Sequence, residues 1–357
     1  GMKMKRKVLA ILVSAAMVMG MAACGSTAGS DAASSAASTV ESVASEVASV
    51  AAEAASGAAE AAADGFYAGK TVEMIVPWGA GGGADVACRL VCQYIEKELG
   101  CTIVVNNVTG GGGSIGLNQL VGADADGLTL AYFANTDSNG NIMLEGVPYT
   151  VDDFAPVCRF ASDPHIILAS NASGITDLDS MVAAGDGKTL WGIGGAWTHW
   201  DFLKLEFEAA TGTSYKRLVY DGGAAVITDI MNGDCTVGTP FVAEALAAID
   251  AGEAVAIAIT SAERNPACPD IPTVAELLGE DFDSTMWRGF VAPAGTDEAV
   301  LREFADACGR ACDNADLQAQ AVDAGVTLSY IGYDEFQTFY AENHESVKAY
   351  YEANANM

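Results

Sequence analysis

Positive charge is scarce in this chain. Its 357 residues include 17 lysines and arginines against 47 aspartates and glutamates, a net charge of −30. From residue 65 onward the balance is 13 against 41, a net charge of −28. A nucleic-acid-binding surface needs cations that neutralise phosphates. The charge balance therefore excludes nucleic acid as a partner.

Histidine is rare as well, and the spacing patterns of zinc sites are missing. The three histidines, His165, His199 and His344, are scattered, and no Cys-x-x-Cys occurs. Zinc is usually held by four cysteine, histidine or acidic ligands at close spacing. We therefore predict no metal site and no cofactor.

No apolar run is long enough for an ordinary membrane-spanning helix. The run from Val8 to Ala23 follows four basic residues and ends in Met21-Ala22-Ala23-Cys24. This is typical of a signal peptide, and its end resembles a bacterial lipobox, which implies cleavage before Cys24 and a lipid on its sulfur. Residues 1–24 are thus predicted to direct the protein out of the cytoplasm and anchor it to the bacterial cell membrane. Plain cleavage with Cys24 incidental is the alternative.

Residues 25–65 contain no aromatic side chain and consist almost entirely of Ala, Ser, Val, Glu and Gly. Such a segment cannot bury enough apolar surface to fold alone. Valines at 40, 43, 47 and 50 have coiled-coil spacing, but over fewer than two heptads. We interpret the segment as a solvated tether.

Eight cysteines remain beyond Cys24, an even number that suggests disulfides in an exported protein. However, Cys88/Cys92 and Cys308/Cys312 are spaced four apart on predicted helices, at the edge of disulfide geometry. The sequence leaves the disulfide state open.

Beyond residue 66, strands and helices alternate, which predicts parallel sheets with helices on both faces. The predicted strands are 71–76, 102–106, 128–134, 189–193, 216–220, 235–239 and 255–259, and the predicted helices are 84–99, 113–123, 197–210, 223–232, 241–251, 297–314 and 334–353.

The turn between the first strand and the first helix is the most informative segment. Pro77 ends the strand, and four glycines occupy five positions at 79–83. Bare backbone can approach a small molecule closely, and a helix N-terminus attracts negative charge. Asp85 is suited either to orienting a water or the turn itself, or to capping the helix. The candidate binding residues here are Trp78, Ala80, Gly81, Gly82, Gly83, Ala84 and Asp85.

This turn and four later motifs resemble the substrate-binding proteins of tripartite tricarboxylate transporters, also called the Bug family. The later motifs are Asn106–Gly116 with Asp126–Leu130, Tyr220–Ala225, Asp270–Glu276 and Val291–Thr296, in the family's order. The resemblance implies an α/β, two-lobed periplasmic-binding-protein fold of type II, each lobe a mainly parallel sheet flanked by helices, with the ligand cleft between lobes. Lobe 1 would be 66–163 and 287–357, and lobe 2 would be 164–286, with chain crossings near 161–165 and 284–288.

The resemblance also implies further cleft residues at the carboxyl ends of strands. These are Asn135 and Thr136, then Gly194, Gly195, Ala196 and Thr198, then Tyr220, Gly222 and Gly223. The N–H groups at 194–198 and the Thr198 hydroxyl would point into the cleft, whereas His199 is interpreted as a packed or capping residue.

The implied function is capture of a small organic acid, amino acid or amide by a monomer that delivers it to the membrane subunits of a transporter. The ligand's carboxylate would be held by backbone N–H groups of the first turn. The acidic balance, and Asp221 where the family usually has lysine, disfavour a tricarboxylate and favour a monocarboxylate, an amino acid or a neutral amide. An orphan ligand sensor is an alternative.

Two enzymatic alternatives rest on short motifs. Gly112-Gly113-Ser114-Ile115-Gly116 matches the serine-hydrolase pattern G-x-S-x-G, but Ser114 does not follow a strand directly. Gly79–Ala84 matches a dinucleotide fingerprint, but no acidic residue ends the second strand. No catalytic constellation is evident, so we predict a binder rather than an enzyme.

Overall fold

The computed structural model describes residues 65–135, 140–143, 147–196 and 198–354, which belong to one compact unit, Asp64–Met357. The predicted signal peptide, Cys24, the tether up to residue 64 and Thr136 lie outside the described residues. Among those that are described, no helix has the length and apolar character needed to cross a membrane.

Strands and helices alternate along most of the chain. The strands are β1 (Thr71–Val76), β2 (Thr102–Asn107), β3 (Thr129–Ala134), β4 (Phe154–Pro164), β5 (Ile166–Ser170), β6 (Asp186–Ile193), β7 (Ser214–Val219), β8 (Val237–Gly238), β9 (Ala254–Ile259), β10 (Thr285–Pro293) and β11 (Leu328–Ile331). The helices are α1 (Gly83–Leu99), α2 (Ser114–Val121), α3 (Leu178–Ala183), α4 (His199–Thr211), α5 (Gly223–Asn232), α6 (Val242–Asp250), α7 (Val274–Leu278), α8 (Glu298–Cys312), α9 (Ala315–Asp323) and α10 (Tyr333–Ala353). Short 3₁₀ turns lie at Gly111–Gly113, Gly140–Met143, Val151–Asp153 and Asn171–Ser173.

The strands form two sheets, and we call the parts of the chain built on them the first and second lobes. The first sheet has the order β11-β4-β10-β3-β1-β2 and the second β7-β6-β8-β5-β9. The predicted two-lobed α/β fold is confirmed. The sheets are mixed rather than mainly parallel, because β4, β10 and β11 pair antiparallel in the first sheet and β5 does so in the second.

The antiparallel pairs follow from the two chain crossings. β4 ends at Pro164, and β5 begins in the other sheet two residues later. The chain returns through Ser284, whose N–H bonds to the Thr260 carbonyl oxygen at 2.8 Å, into β10. A strand that leaves a sheet at one edge and a strand that re-enters at the same edge must run in opposite directions. Accordingly Thr285 pairs with Pro164.

Each lobe has its own apolar core. One face of the first sheet packs against α1, α8 and α9 around Met74, Tyr132 and Phe290. The other face packs against α2 and α10 around Phe133 and Trp287. The second sheet is enclosed by its own helices around residues such as Trp191. Because both faces of each sheet are buried, the glycine-rich turns lie at the strand ends.

The cysteines of the described body are all free thiols. Six are buried, namely Cys88, Cys92, Cys158, Cys235, Cys308 and Cys312, whereas Cys101 and Cys268 are partly exposed. Cys88 Sγ and Cys92 Sγ lie 3.9 Å apart on α1. Burial raises the pKa of the Cys308 thiol. These side chains pack as small apolar groups.

Candidate functional site

The glycine-rich turn after β1 is open to solvent. Gly79, Ala80, Gly81, Gly82 and Gly83 are all exposed. Gly81 has φ +78°, a conformation that favours glycine. Helix α1 begins at Gly83 without a side-chain cap, so its first N–H groups have no intrahelical partner. The turn therefore offers bare backbone donors to a ligand.

Asp85 fixes the shape of this turn. Its carboxylate is buried, and it accepts hydrogen bonds from the Gly81 N–H at 2.9 Å, from Arg89 Nε at 2.8 Å and from Asn107 Nδ2 at 2.8 Å. Asn107 Nδ2 also donates to the Trp78 carbonyl oxygen at 2.9 Å. Burial raises the pKa of Asp85, but these hydrogen bonds outweigh it and hold the pKa below its usual value. Asp85 thus organises the turn rather than capping the helix from its first position.

A buried cation that the sequence analysis missed lies beside the turn. Arg288 projects from β10 with its side chain 9% exposed, and its Nε donates to Asp163. Its Nη1 donates to the Tyr132 hydroxyl at 3.0 Å. A Cβ atom placed on Gly83 would lie 3.8 Å from Arg288 Nη2. A single arginine within the apolar segment Thr285–Pro293 was the signal that could have found it.

The second lobe presents a similar turn before α5. Gly222 has φ +94°, and α5 begins at Gly223 without a side-chain cap. The carboxylate of Glu244, on α6, lies directly against Gly223. Partial desolvation raises the pKa of Glu244, whereas the Phe241 N–H and the charge of Arg288 oppose that rise. Each of the two predicted glycines thus lies beside a charged side chain that the sequence analysis did not predict: Gly83 beside Arg288, and Gly223 beside Glu244.

The turn before α4 is filled by its own side chains. The Thr198 hydroxyl donates to the Gly195 carbonyl oxygen at 2.9 Å and accepts from the Trp200 N–H at 3.3 Å. A Cβ atom on Gly194 would lie 2.8 Å from the Trp200 ring. The Thr198 hydroxyl therefore caps α4, and its predicted contact with a solute in the cleft stays a prediction. Ala196 is exposed.

A buried polar cluster joins the lobes at the chain crossing. Asn135 Nδ2 lies 3.0 Å from His199 Nδ1 and 3.0 Å from the Thr285 carbonyl oxygen. His165 Nδ1 lies 2.7 Å from the Thr239 carbonyl oxygen. Burial lowers the pKa of His165 to about 4 and lowers that of His199 well below its usual value. Both imidazoles are therefore neutral, and His199 is packed, as the sequence suggested.

The side chains of two further predicted residues pack against the cores. Tyr220 packs against the second core, with its ring beside Gly192, and its hydroxyl is buried. Trp78 packs partly against the first core. The Trp78 carbonyl oxygen accepts from Asn107 Nδ2, and the Tyr220 N–H donates to the Ile193 carbonyl oxygen at 2.9 Å. Their role in binding stays a prediction.

The serine of the hydrolase motif does not directly follow a strand. Ser114 is the first residue of α2, after the 3₁₀ turn Gly111–Gly113. His165 and His199 are committed at the crossing through Nδ1. Within the described part of the chain, no cluster of three or more histidine, cysteine or acidic side chains is arranged to hold a metal ion.

This geometry, with two lobes and uncapped helix N-termini at the strand ends that face the cleft, is that of periplasmic solute-binding proteins. A family model described as tripartite tricarboxylate transporter family receptor matches residues 87–354. The chain belongs to this family.

Known proteins of this kind are similar along most of their length. Protein BugT of Bordetella pertussis is 28% identical over 241 residues, 66% of this chain and 74% of the relative. A TctC solute-binding protein from Polaromonas, solved without ligand, superimposes with TM-score 0.70 at 24% identity, covering 80% of this chain and 98% of that one. MatC of Rhodopseudomonas palustris, with bound malate, gives TM-score 0.60 at 23% identity and covers 79% and 98%. The protein is therefore a solute-binding receptor of an extracytoplasmic type.

Proposed function

We propose that the protein captures a small carboxylate-type solute between its lobes and delivers it to the membrane subunits of a tripartite tricarboxylate-type transporter. The observation that carries this proposal is the open N-terminus of α1. Its N–H groups are uncapped and lie behind exposed glycines. A helix N-terminus favours a negatively charged group. Malate in the similar MatC structure supports the same ligand class.

The site residues are proposed as backbone contacts around that anion. The first-turn residues at 80–84 face the solute, with Trp78 and Asp85 shaping the turn. Asn135, which follows the third strand, and Thr136, the next residue in the sequence, are proposed as further contacts. The second lobe contributes the main chain at 194–196, Thr198, Tyr220, Gly222 and Gly223. Closure would be a hinge motion at the crossings, between lobe 1 (66–163 and 287–357) and lobe 2 (164–286).

The finer parts of the proposal concern the setting of the protein. A lipid on Cys24 would anchor a monomer to the outer face of the cell membrane, with the tether carrying the folded body. The protein would act without a cofactor and without catalysis. The alternatives remain a secreted serine hydrolase that uses Ser114, or a sensor without a transporter; the commitment of His165 and His199 at the crossing argues against the hydrolase.

The first experiment fills the site. A Cβ atom at Gly83 meets only Arg288 Nη2, at an ordinary contact distance, so Gly83→Val should fold and block the space beside the turn. We expect it to abolish the thermal shifts that carboxylates produce in the wild-type protein. Gly122→Val is the matched control, because Gly122 has φ −82° and ordinary contacts at the end of α2.

Retention of solute binding by Gly83→Val would contradict the proposed site. The hydrolase alternative is tested on the same preparations with ester and peptide substrates. An activity that Ser114→Ala destroys would replace the binding proposal.

The second experiment tests the anchor. Cys24→Ala should move the protein from the membrane fraction to the soluble fraction, measured by fractionation and immunoblotting, since the lipid attachment atom is gone. Cys268→Ala, a partly exposed cysteine of the folded body, is the control and should stay with the membrane. Equal membrane retention of Cys24→Ala and the control would reject lipidation.

A further inference from the structure

Arg288 is unusual because it is a buried basic residue in a chain with few basic residues. The folded part of the chain has 13 basic side chains, yet this one is almost wholly buried, on the sheet face that carries Met286 and Phe290. Removing a cation from water is costly unless it is paired. Its position needs an explanation beyond packing.

The pairing of Arg288 is incomplete. Asp163 takes the Nε donor through one oxygen, whereas the other Asp163 oxygen accepts the Thr327 N–H at 2.8 Å. Tyr132 takes Nη1. Among the described residues, no hydrogen-bond acceptor lies on Nη2. Since a guanidinium has five donors in a fixed fork, Arg288 keeps a directed donor for a further anion.

That donor faces the proposed binding turn. Nη2 is the group nearest to the Cβ position of Gly83, at 3.8 Å, and Gly83 begins the uncapped helix α1. An arginine donor and helix N–H groups thus converge on one space from two elements of the first lobe. A carboxylate can accept from both, because each of its oxygens has two acceptor sites.

A negative group bounds the same region from the second lobe. Glu244 lies against Gly223 and interacts electrostatically with Arg288, although the ion pair of Arg288 is with Asp163. The local balance is one cation against two carboxylates. A solute that brings one carboxylate meets the arginine, whereas a second carboxylate pointing to the other lobe meets Glu244.

We propose that Arg288 binds the solute carboxylate through Nη2 together with the first turn of α1, and that Glu244 restricts the cleft to solutes with a single carboxylate. This inference rests on the proposed function and names the solute class: monocarboxylates whose other end is neutral or a hydrogen-bond donor. The fold places Arg288 beside Gly83 by pairing β10 with β3 and β4, so the specificity is set by a crossing strand rather than by the glycine turn.

The test uses the full chain, purified in detergent, and four-carbon probes that differ only at the ends: butyrate, butyramide and succinate, each to 20 mM. Binding is followed by calorimetry and thermal shift. Wild-type protein should bind butyrate and prefer it to both butyramide and succinate. Arg288→Lys keeps a charge for Asp163 but loses the Nη2 donor, and should weaken butyrate binding at least 30-fold.

Glu244→Gln should improve succinate binding relative to butyrate at least tenfold. Arg310→Lys is the matched control, because Arg310 is half exposed and pairs with Glu98 on the surface. The melting temperature of each variant without probe shows that it is folded.

Three outcomes separate the inference from the function on which it rests. Wild-type butyrate affinity in Arg288→Lys, with binding lost in Gly83→Val, would overturn the arginine assignment and leave the receptor proposal intact. An unchanged succinate-to-butyrate ratio in Glu244→Gln would overturn the restriction to one carboxylate. Failure of every carboxylate to bind wild-type protein would overturn both proposals.

Discussion

The turns before α1 and α4 have similar positions and compositions, but one is open and the other is filled by side chains. Each follows a parallel strand, contains glycines and starts a helix that faces the other lobe. In the first, the helix is uncapped and the glycines are exposed. In the second, Thr198 caps the helix and Trp200 fills the space over Gly194. Glycines in a turn at a strand end therefore leave open space only where the following side chains do not fill it.

The difference lies in how each turn is held. The first turn is stabilised by the buried carboxylate of Asp85, whose partners come from the turn, from α1 and from β2. The second turn is stabilised by the Thr198 hydroxyl, which bonds to the backbone of the turn itself. In the first turn Asp85 takes the Gly81 N–H, and the helix that follows has no side-chain cap. In the second turn the Thr198 hydroxyl takes both a turn carbonyl oxygen and a helix N–H.

Removing the support of the first turn should give the largest effect. Asp85→Ala leaves the Gly81 N–H, Arg89 Nε and Asn107 Nδ2 without their common acceptor, and hydrogen bonds to a charged group contribute about 1.5–3 kcal/mol net. We expect the free energy of unfolding to fall by about 2–3 kcal/mol and carboxylate affinity to fall at least tenfold, measured by denaturant unfolding and calorimetry. Asp316→Ala, an exposed aspartate in the first turn of α9, should change neither.

The Asp85 contribution should also depend on pH. Its folded-state pKa lies below the ordinary 3.8, so its stabilisation is complete above that value and is lost as the pH falls through the lower folded-state pKa. The stability difference between wild type and Asp85→Ala should shrink below about pH 4. A difference that is constant down to pH 2 would mean that ionisation of Asp85 does not hold the turn.

Adding a methyl group should separate the two turns next. A Cβ at Gly194 would lie 2.8 Å from Trp200, whereas a Cβ at Gly83 has its nearest neighbour at 3.8 Å. Gly194→Ala should cost about 1–3 kcal/mol of unfolding free energy through overpacking. Gly83→Ala should be neutral or gain about 0.5–1 kcal/mol, because alanine suits a helix better. Equal stability of Gly194→Ala and Gly83→Ala would show that the two turns do not differ in the space they leave for a methyl group.

The smallest effect is expected from the cap of the second turn. Thr198→Ala should cost about 1 kcal/mol of stability and leave carboxylate affinity within twofold, because the hydroxyl serves the backbone. Thr198→Ser, which keeps the hydroxyl, is the control for stability. Lost binding with unchanged unfolding would show that Thr198 contacts the solute after all.

Local signals predicted the elements of residues 71–134 and helix 223–232 well, whereas β5 (Ile166–Ser170) and α3 (Leu178–Ala183) were not predicted. Strand 71–76 and helix 223–232 have the predicted bounds, because Pro77 ends the first and Gly222 and Gly233 flank the second. The helix predicted at 113–123 instead begins with a 3₁₀ turn at Gly111–Gly113, where three glycines in succession have positive φ. Consecutive glycines carry no side chains, so this segment has no hydrophobic periodicity from which its structure could be predicted.

The crossing strands could not be predicted in the same way. β4 contains Pro156, Arg159 and Asp163, which interrupt any apolar period. The register shifts between Phe290 and Val291, where their partners are Cys158 and Pro156, so a bulge accommodates the proline. In the site, the glycine turn could be predicted from the sequence, because its residues are contiguous. Arg288 was not, since its neighbours Tyr132, Asp163 and Gly83 come from distant segments.

The hydrogen bond between Asn135 and His199 has a consequence for the balance between open and closed molecules. It joins the two lobes without a solute between them, and a bond of this kind is worth about 0.5–1.5 kcal/mol net. That energy favours molecules that make this contact over molecules that do not by about two- to twelvefold. If opening of the cleft breaks this bond, the same factor favours closed molecules that carry no solute.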